Sequence, residues 1–381
     1  MTAVLPQPSA NAPSFSVPYT ALGRQVAPLK AELLAAVESV IDGGRYILGP
    51  NVSAFEQEFA VYCGTQFSRG ISNGTSALHL VLRGLGLKAG DEVITAPNSF
   101  LASASSIALA GGRPVFADVG ADMNIDPDRL EAAVTPRTRA IIPVHLTGRP
   151  ARMREIMEIA GRRGLFVLED AAQAVGASLN GRRVGSWGHA GAFSLHPLKN
   201  LFAFGDAGMV TSNDESLVAR VSLARNHGLR NRDTCEFWSF NSRLDEMHGA
   251  MLRVQLRHLE AWTEGRRLLA RRYNELLRPY VVVPDEGPGE RHVYQTYMIR
   301  AERRDDLRQF LVGRGVEALV HYATPIHLQP AARDLGYTAG DFPVCQQVVD
   351  RILSLPLYPG LTETQQDHVV ESIALFYRTK A

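Results

Sequence analysis

Lysine is nearly absent from this 381-residue chain, with Lys30, Lys88, Lys199 and Lys380 the only four among 40 basic residues. Arginine supplies the rest, an imbalance that a biased source composition explains and that needs no function. Its chemical consequence is narrower. A buried amine loses its proton and forms Schiff bases, whereas a guanidinium stays charged, so amine chemistry has few places to occur. Cysteine is scarce as well. Cys63, Cys235 and Cys345 lie far apart and form no C-x-x-C pair, which supports neither a disulfide framework nor a zinc knuckle and fits a reducing cytoplasm. Net charge is also lacking: +1 argues against nucleic acid or an anionic membrane as the main partner. The longest uncharged stretch, Val93 to Gly112, carries Pro97, Asn98 and four serines and reads as strand, loop and helix. No basic segment followed by an apolar run opens the chain, and residues 1–16, rich in Pro, Ser and Ala, are expected to form a flexible tail.

What is present is material for a core: 45% hydrophobic residues against 21% charged. From Pro28 onward amphipathic stretches alternate with short apolar runs, the sequence form of a mostly parallel α/β sheet. Strands are expected at 67–72, 92–96, 114–118, 140–145, 165–169, 190–195 and 208–212, with helices such as 76–87 and 152–163 between them. A continuous helical region is expected over 244–277. After Pro284 the turn-rich run Asp285-Glu286-Gly287-Pro288-Gly289 marks a joint. Beyond it the pattern predicts a strand (293–300), a helix (305–314), a second strand (316–321) and a C-terminal helix from about Glu363. The expected organisation is a large sheet domain over 17–260, then a linking helix and small α+β domain over 261–381. A cleft between them is the default ligand site.

Neither the G-x-G-x-x-G nor the P-loop signature occurs. Instead, strand 67–72 runs into Asn73-Gly74-Thr75-Ser76, a glycine-containing turn that opens a helix. Free N–H groups there, the helix dipole and two hydroxyls suit a phosphate; equally, Thr75 and Ser76 suit ordinary helix caps. The apolar strand 165–169 delivers Glu169 and Asp170, ahead of Gln173, to the end of the sheet where doubly wound folds bind ligands. One of these acids can meet a ring cation or a metal, or cap the following turn, and no metal-ligand cluster is visible. The run Gly191 to Leu201 ends a strand in a turn bearing Ser194, His196 and Lys199 among apolar neighbours. A buried, deprotonated amine is credible there, and His196 reads as a second polar contact or, more simply, a satisfied turn histidine. Together, a phosphate cradle, a strand-end acid and a lysine match what pyridoxal phosphate requires. The carboxylate keeps the pyridine nitrogen protonated, and that ring is the electron sink.

On these motifs the chain resembles the DegT/DnrJ/StrS family of pyridoxal-phosphate-dependent aminotransferases over nearly all of residues 17–378. Its markers are Gly44 to Pro50 with Phe55-Glu56, Asn73 to Leu78, and Glu169 to Gln173. Ser194 to Leu201, Asn241 to Leu244, and His321-Tyr322 followed by Pro325 and His327 complete them. The resemblance implies a fold-type I transferase with a seven-stranded, mostly parallel sheet and a smaller C-terminal α+β domain. It implies Lys199 as Schiff-base lysine and proton shuttle, Asp170 on the pyridine nitrogen, Gln173 near the ring hydroxyl and Phe100 on the ring face. Gly74, Thr75, Ser76 and Ser194 would hold the phosphate, joined by Asn241 of a second copy. The implied assembly is a homodimer with shared active sites, and Tyr322 and His327 are implied substrate contacts. The implied reaction moves an amino group from glutamate or glutamine to a keto-sugar, usually nucleotide-linked, or a keto-cyclitol.

Departures from the family pattern lie near the substrate pocket: Leu195-His196, Asp206-Ala207 in the glycine-rich turn, and Thr147 at a common tyrosine position. Rival readings are a pyridoxal-phosphate dehydratase or eliminase, whose related branch has histidine in place of the lysine, and a non-catalytic cofactor or sugar-nucleotide binder. Lys199 argues against the first, and the absence of a DNA-binding module weakens the second.

Overall fold

The structure, a computed structural model, describes residues 15–379. Most of the tail expected over residues 1–16 lies outside these, as does Lys380. Helices α1 (Lys30–Gly43) and α2 (Pro50–Cys63) precede the sheet. Proline at its first position suits α2, since that N–H has no intrahelical partner. The other free donors there go to Glu246, whose carboxylate accepts the N–H groups of Gly49 (2.9 Å), Asn51 (2.5 Å) and Val52 (3.1 Å).

The sheet has seven strands: β1 (Phe67–Ile71), β2 (Glu92–Thr95), β3 (Arg113–Phe116), β4 (Thr138–Ile142), β5 (Phe166–Asp170), β6 (Ala190–Ser194) and β7 (Gly208–Ser212). Their order is β1-β7-β6-β5-β4-β2-β3. Strands β2 to β6 pair in parallel, and β7 runs antiparallel to both β1 and β6. The apolar runs are continuous because helices cover both faces. On these faces pack α3 (Gly74–Gly84), α4 (Ala102–Leu109), α5 (Met153–Arg163) and α6 (Glu215–Ala224). Parallel crossovers leave the strand-to-helix turns after β1, β5 and β6 together at one end of the sheet.

The helical region expected over 244–277 is two helices, α7 (Glu246–Leu256) and α8 (Leu259–Leu277), broken at Arg257–His258. Apolar periodicity survives the break because each helix buries a face, α7 against α1 and α2 and α8 in the C-terminal core.

That core holds an antiparallel pair, β8 (Tyr297–Arg300) and β9 (Ile352–Leu355), with α9 (Arg304–Gly313) and α10 (Glu363–Thr379). The strand expected over 316–321 is not formed. Val316 and Ala318 point inward, which produces the alternating pattern, but the segment makes only single bridges, Val17 to Val316 and Leu319 to Ser354. The ladder partner of β8 is β9. Val17 packs in this same C-terminal core, and Ser16 Oγ donates to Gly315 O at 3.0 Å. Among the described residues no helix is long and apolar enough to cross a membrane.

Candidate active site

Where the turns after β1, β5 and β6 face the C-terminal unit, a cavity of about 700 Å³ opens. Gly74, Thr75, Ser76, Phe100, Asp170, Gln173, Ser194, Lys199 and Tyr322, all singled out from sequence, line it.

Strand alternation separates the two acids of β5. Glu169 is fully buried on the side away from the cavity. It accepts the N–H groups of Gly185 (2.8 Å), Trp187 (2.7 Å) and Gly188 (2.7 Å), and His145 Nε2 lies 3.0 Å away. Asp170 turns into the cavity, accepting Ser103 Oγ–H at 2.7 Å and Ala172 N–H at 3.2 Å. Burial raises its pKa, partly offset by these donors and by the charge of Lys199.

Lys199 sits in the turn after β6, held by its own N–H donating to His196 O at 2.8 Å. Desolvation lowers its pKa from the ordinary lysine value to about 8, against the pull of Asp170. Its side chain has no hydrogen-bond partner among the described residues, and the amine faces the cavity.

Thr75 and Ser76 are not the caps of α3. Asn73 fills that role, its extended backbone letting Oδ1 accept Ser76 N–H at 2.8 Å. The N–H groups of Gly74 and Thr75 begin the helix without intrahelical partners, and Gly74, Thr75 and Ser76 all line the cavity. Two glycines make the site compact. A Cβ on Gly74 would lie 2.8 Å from Ser194 Cβ, and one on Gly208 2.5 Å from the carbonyl carbon of Asn73. Ser194 is thereby brought against the helix start.

The walls combine one flat apolar surface with ordered polar groups. Phe100 is 53% exposed, its ring 5.5 Å from that of Tyr322. Gln173 accepts Thr147 N–H at 2.6 Å and donates to the Tyr322 hydroxyl at 3.4 Å. Burial first, then Asp170, pushes the phenol of Tyr322 up to about 12. His321, whose Nδ1 lies 2.9 Å from Ser354 Oγ, is pushed down to about 4 by burial and by Lys199.

Two expected residues do not join this cavity within the chain. His327 is buried among Phe116, Tyr337 and Phe342, its ring 4.7 Å from that of Phe342, and does not line the site. Asn241 is exposed outside the cavity, bridged to Asn226. Ser103, Tyr19 and Thr296 line or brace the site without having been singled out. The serine spacing of four, Ser99 to Ser103, in a stretch with no charged residue was the available signal for the first (Oγ to Oγ 3.0 Å). Tyr19 and Thr296 carried none.

The donor set fits pyridoxal phosphate. A helix start with free N–H groups and three hydroxyls suits the phosphate, and an exposed aromatic face suits a flat ring. A buried carboxyl with a raised pKa calls for a cation such as a protonated ring nitrogen, and a partly neutral amine suits an aldehyde.

This architecture and site are those of a fold-type I transferase. The sequence matches the DegT/DnrJ/EryC1/StrS aminotransferase family over residues 28–374, and the chain belongs to that family and is an aminotransferase. It is 45% identical over 369 residues to a pleiotropic regulatory protein of Geobacillus stearothermophilus, covering 96% of this chain and 99% of the relative. It is 42% identical over 368 residues to the dTDP-3-amino-3,4,6-trideoxy-alpha-D-glucose transaminase of Streptomyces venezuelae, covering 96% and 97%. Among solved structures, S. venezuelae DesV in complex with a ketimine intermediate superposes with a TM-score of 0.92 at 41% identity, covering 96% of this chain and 99% of that one.

Proposed function

We propose that this chain is a pyridoxal-phosphate-dependent transaminase that moves an amino group from glutamate or glutamine to a keto-sugar, nucleotide-linked, or a keto-cyclitol. It would work in the cytoplasm as a homodimer. The observation that carries the reading is the convergence of Lys199, Asp170, Ser194 and the start of α3 on one cavity. The sugar-nucleotide transaminase of S. venezuelae supports the acceptor class.

Pyridoxal phosphate supplies an aldehyde that condenses with amines and a protonated ring that takes up electrons from an adjacent carbon. The protein's share is binding, orientation and proton transfer. Gly74, Thr75, Ser76 and Ser194 would hold the phosphate, and the exposed Asn241 of a second copy would join them. Asp170, steadied by Ser103, would keep the proton on the ring nitrogen. Phe100 would cover one ring face, and Gln173 would serve the ring hydroxyl. Lys199, with a pKa near 8, has a neutral fraction at neutral pH. It takes the proton from the donor α-carbon and, in the reverse half-reaction, delivers one to the former keto carbon of the acceptor. Tyr322, protonated, offers a hydroxyl to the bound substrate.

The test is spectroscopic. Purified protein should be yellow, glutamate or glutamine should convert its spectrum, and borohydride should fix the cofactor on Lys199 and fail to do so in Lys199→Ala. A spectrum indifferent to every common amino donor would defeat the transaminase reading in favour of a sensor, which the name of the Geobacillus relative would suit. Mixing Lys199→Ala with Asn241→Ala chains should restore activity that neither has alone if sites are shared.

A further inference from the structure

The cavity mouth carries two polar side chains to which amino transfer assigns no task, His196 and Asp206. Their segments are tied together: Leu195 N–H donates to Ala207 O at 2.8 Å and Ala203 N–H to Leu195 O at 2.7 Å. Gly205 packs against His248, whose ring a Cβ there would meet at 3.2 Å, so the backbone before Asp206 has little freedom. His196 shares its turn with Lys199. Its Nδ1 accepts Leu198 N–H at 3.2 Å, which leaves the ring proton on Nε2. Burial and the charge of Lys199 hold this imidazole below the ordinary histidine pKa against the opposite pull of Asp206, which favours the neutral N–H donor. The Asp206 side chain has neither an ion pair nor a hydrogen bond among the described residues, although it faces the cavity.

An unpaired carboxylate disfavours anionic groups nearby and favours neutral donors. A hydroxyl both donates and accepts, so one placed between the two side chains would give its proton to Asp206 and accept from His196. Because Lys199 must reach the keto carbon, a side chain in the same turn reaches the adjoining carbons of the acceptor. We propose that His196 and Asp206 select an acceptor that bears a free hydroxyl on the carbon next to its ketone. This rests on the transaminase reading above and narrows its substrate class.

The test uses two nucleotide-linked keto-hexoses that differ only in that hydroxyl, presented after the donor half-reaction has been followed by absorbance. Wild type should favour the hydroxylated acceptor by at least about tenfold in kcat/KM, the effect of one hydrogen bond to a charged group. Asp206→Ala and His196→Ala should each reduce that ratio to within about threefold, through a higher KM for the hydroxylated acceptor, and Asp206→Glu should restore part of it. The ratio is independent of how much of a variant folds. No preference in wild type, or an unchanged ratio in both alanine variants, would overturn the pair while leaving the transaminase reading intact. A wild-type protein that fails the donor half-reaction would overturn that reading itself.

Discussion

Glu169 and Asp170 are chain neighbours whose carboxylates serve opposite sides of β5. The first fastens the 185–188 loop and His145, and the second enters the cavity. Their isosteric amides should therefore fail differently. Glu169→Gln turns an NH2 group toward fixed N–H donors and should cost about 2–4 kcal/mol in urea unfolding. Asp170→Asn should leave stability within about 1 kcal/mol but lower kcat/KM about 10²–10³-fold, as loss of a charge-stabilising group does. Equal effects of the two changes on stability would contradict this division.

Lys199 should be the most reactive lysine of the cofactor-free protein near neutrality. A depressed pKa means that the neutral form is present above about 8 and is lost as pH falls through that value. At pH 7.5 its modification by an amine-directed reagent, read by peptide mass spectrometry, should outpace that of an ordinary lysine about 10²-fold. Asp170→Asn removes the charge that favours the ammonium and should move the midpoint lower still. A midpoint near 10 would show that the amine is not desolvated.

Gly208→Ala should loosen the phosphate cradle by displacing the backbone at its start, without altering any of its side chains. Its Cβ would meet the backbone of Asn73 at 2.5 Å, which a side-chain rotation cannot relieve. A cost of about 1–3 kcal/mol is expected. Pyridoxal phosphate affinity, measured by fluorescence titration, should drop by about tenfold, since a helix start moved by an ångström loses its aim. Unchanged affinity would separate the cradle from this close approach.

Glu246 caps a helix almost 200 residues earlier in the chain (|i−j| = 195 to Asn51). Glu246→Ala should destabilise by about 1–3 kcal/mol because three donors at the start of α2 lose their acceptor. Glu246→Gln should recover part of this, and the midpoint of urea unfolding with an unchanged m-value is the measurement.

Local pattern was enough for β7, found over the same residues 208–212, and for the start of α10 at Glu363. The 316–321 segment shows where it misleads. Alternating burial marks a side facing the core, but a strand also needs a continuous ladder, and this segment meets Val17, and Ser354 of β9, through one bridge each. The break between α7 and α8 was hidden for a related reason, since both helices keep an apolar face while packing against different bodies. His327 followed its motif but entered an aromatic group, because burying an imidazole beside Phe342 and Phe116 depends on the fold of the whole unit.

Within the site the line between sequence and structure is sharp. Scarcity of lysine was legible from composition, and one lysine at the end of an apolar strand identified the amine. The hydroxyls after β1 and the acids after β5 were legible too, because parallel strands bring successive turns to one end of a sheet. Which hydroxyls were caps, and which acid met the cavity, were decided only by tertiary structure. Asn73 took the cap and freed Thr75. Glu169 was consumed by three amides and a histidine, while Asp170 remained for a ligand. The physical reason is that alternation along a strand says two neighbours face opposite ways, but only the packed sheet says which way the cavity lies.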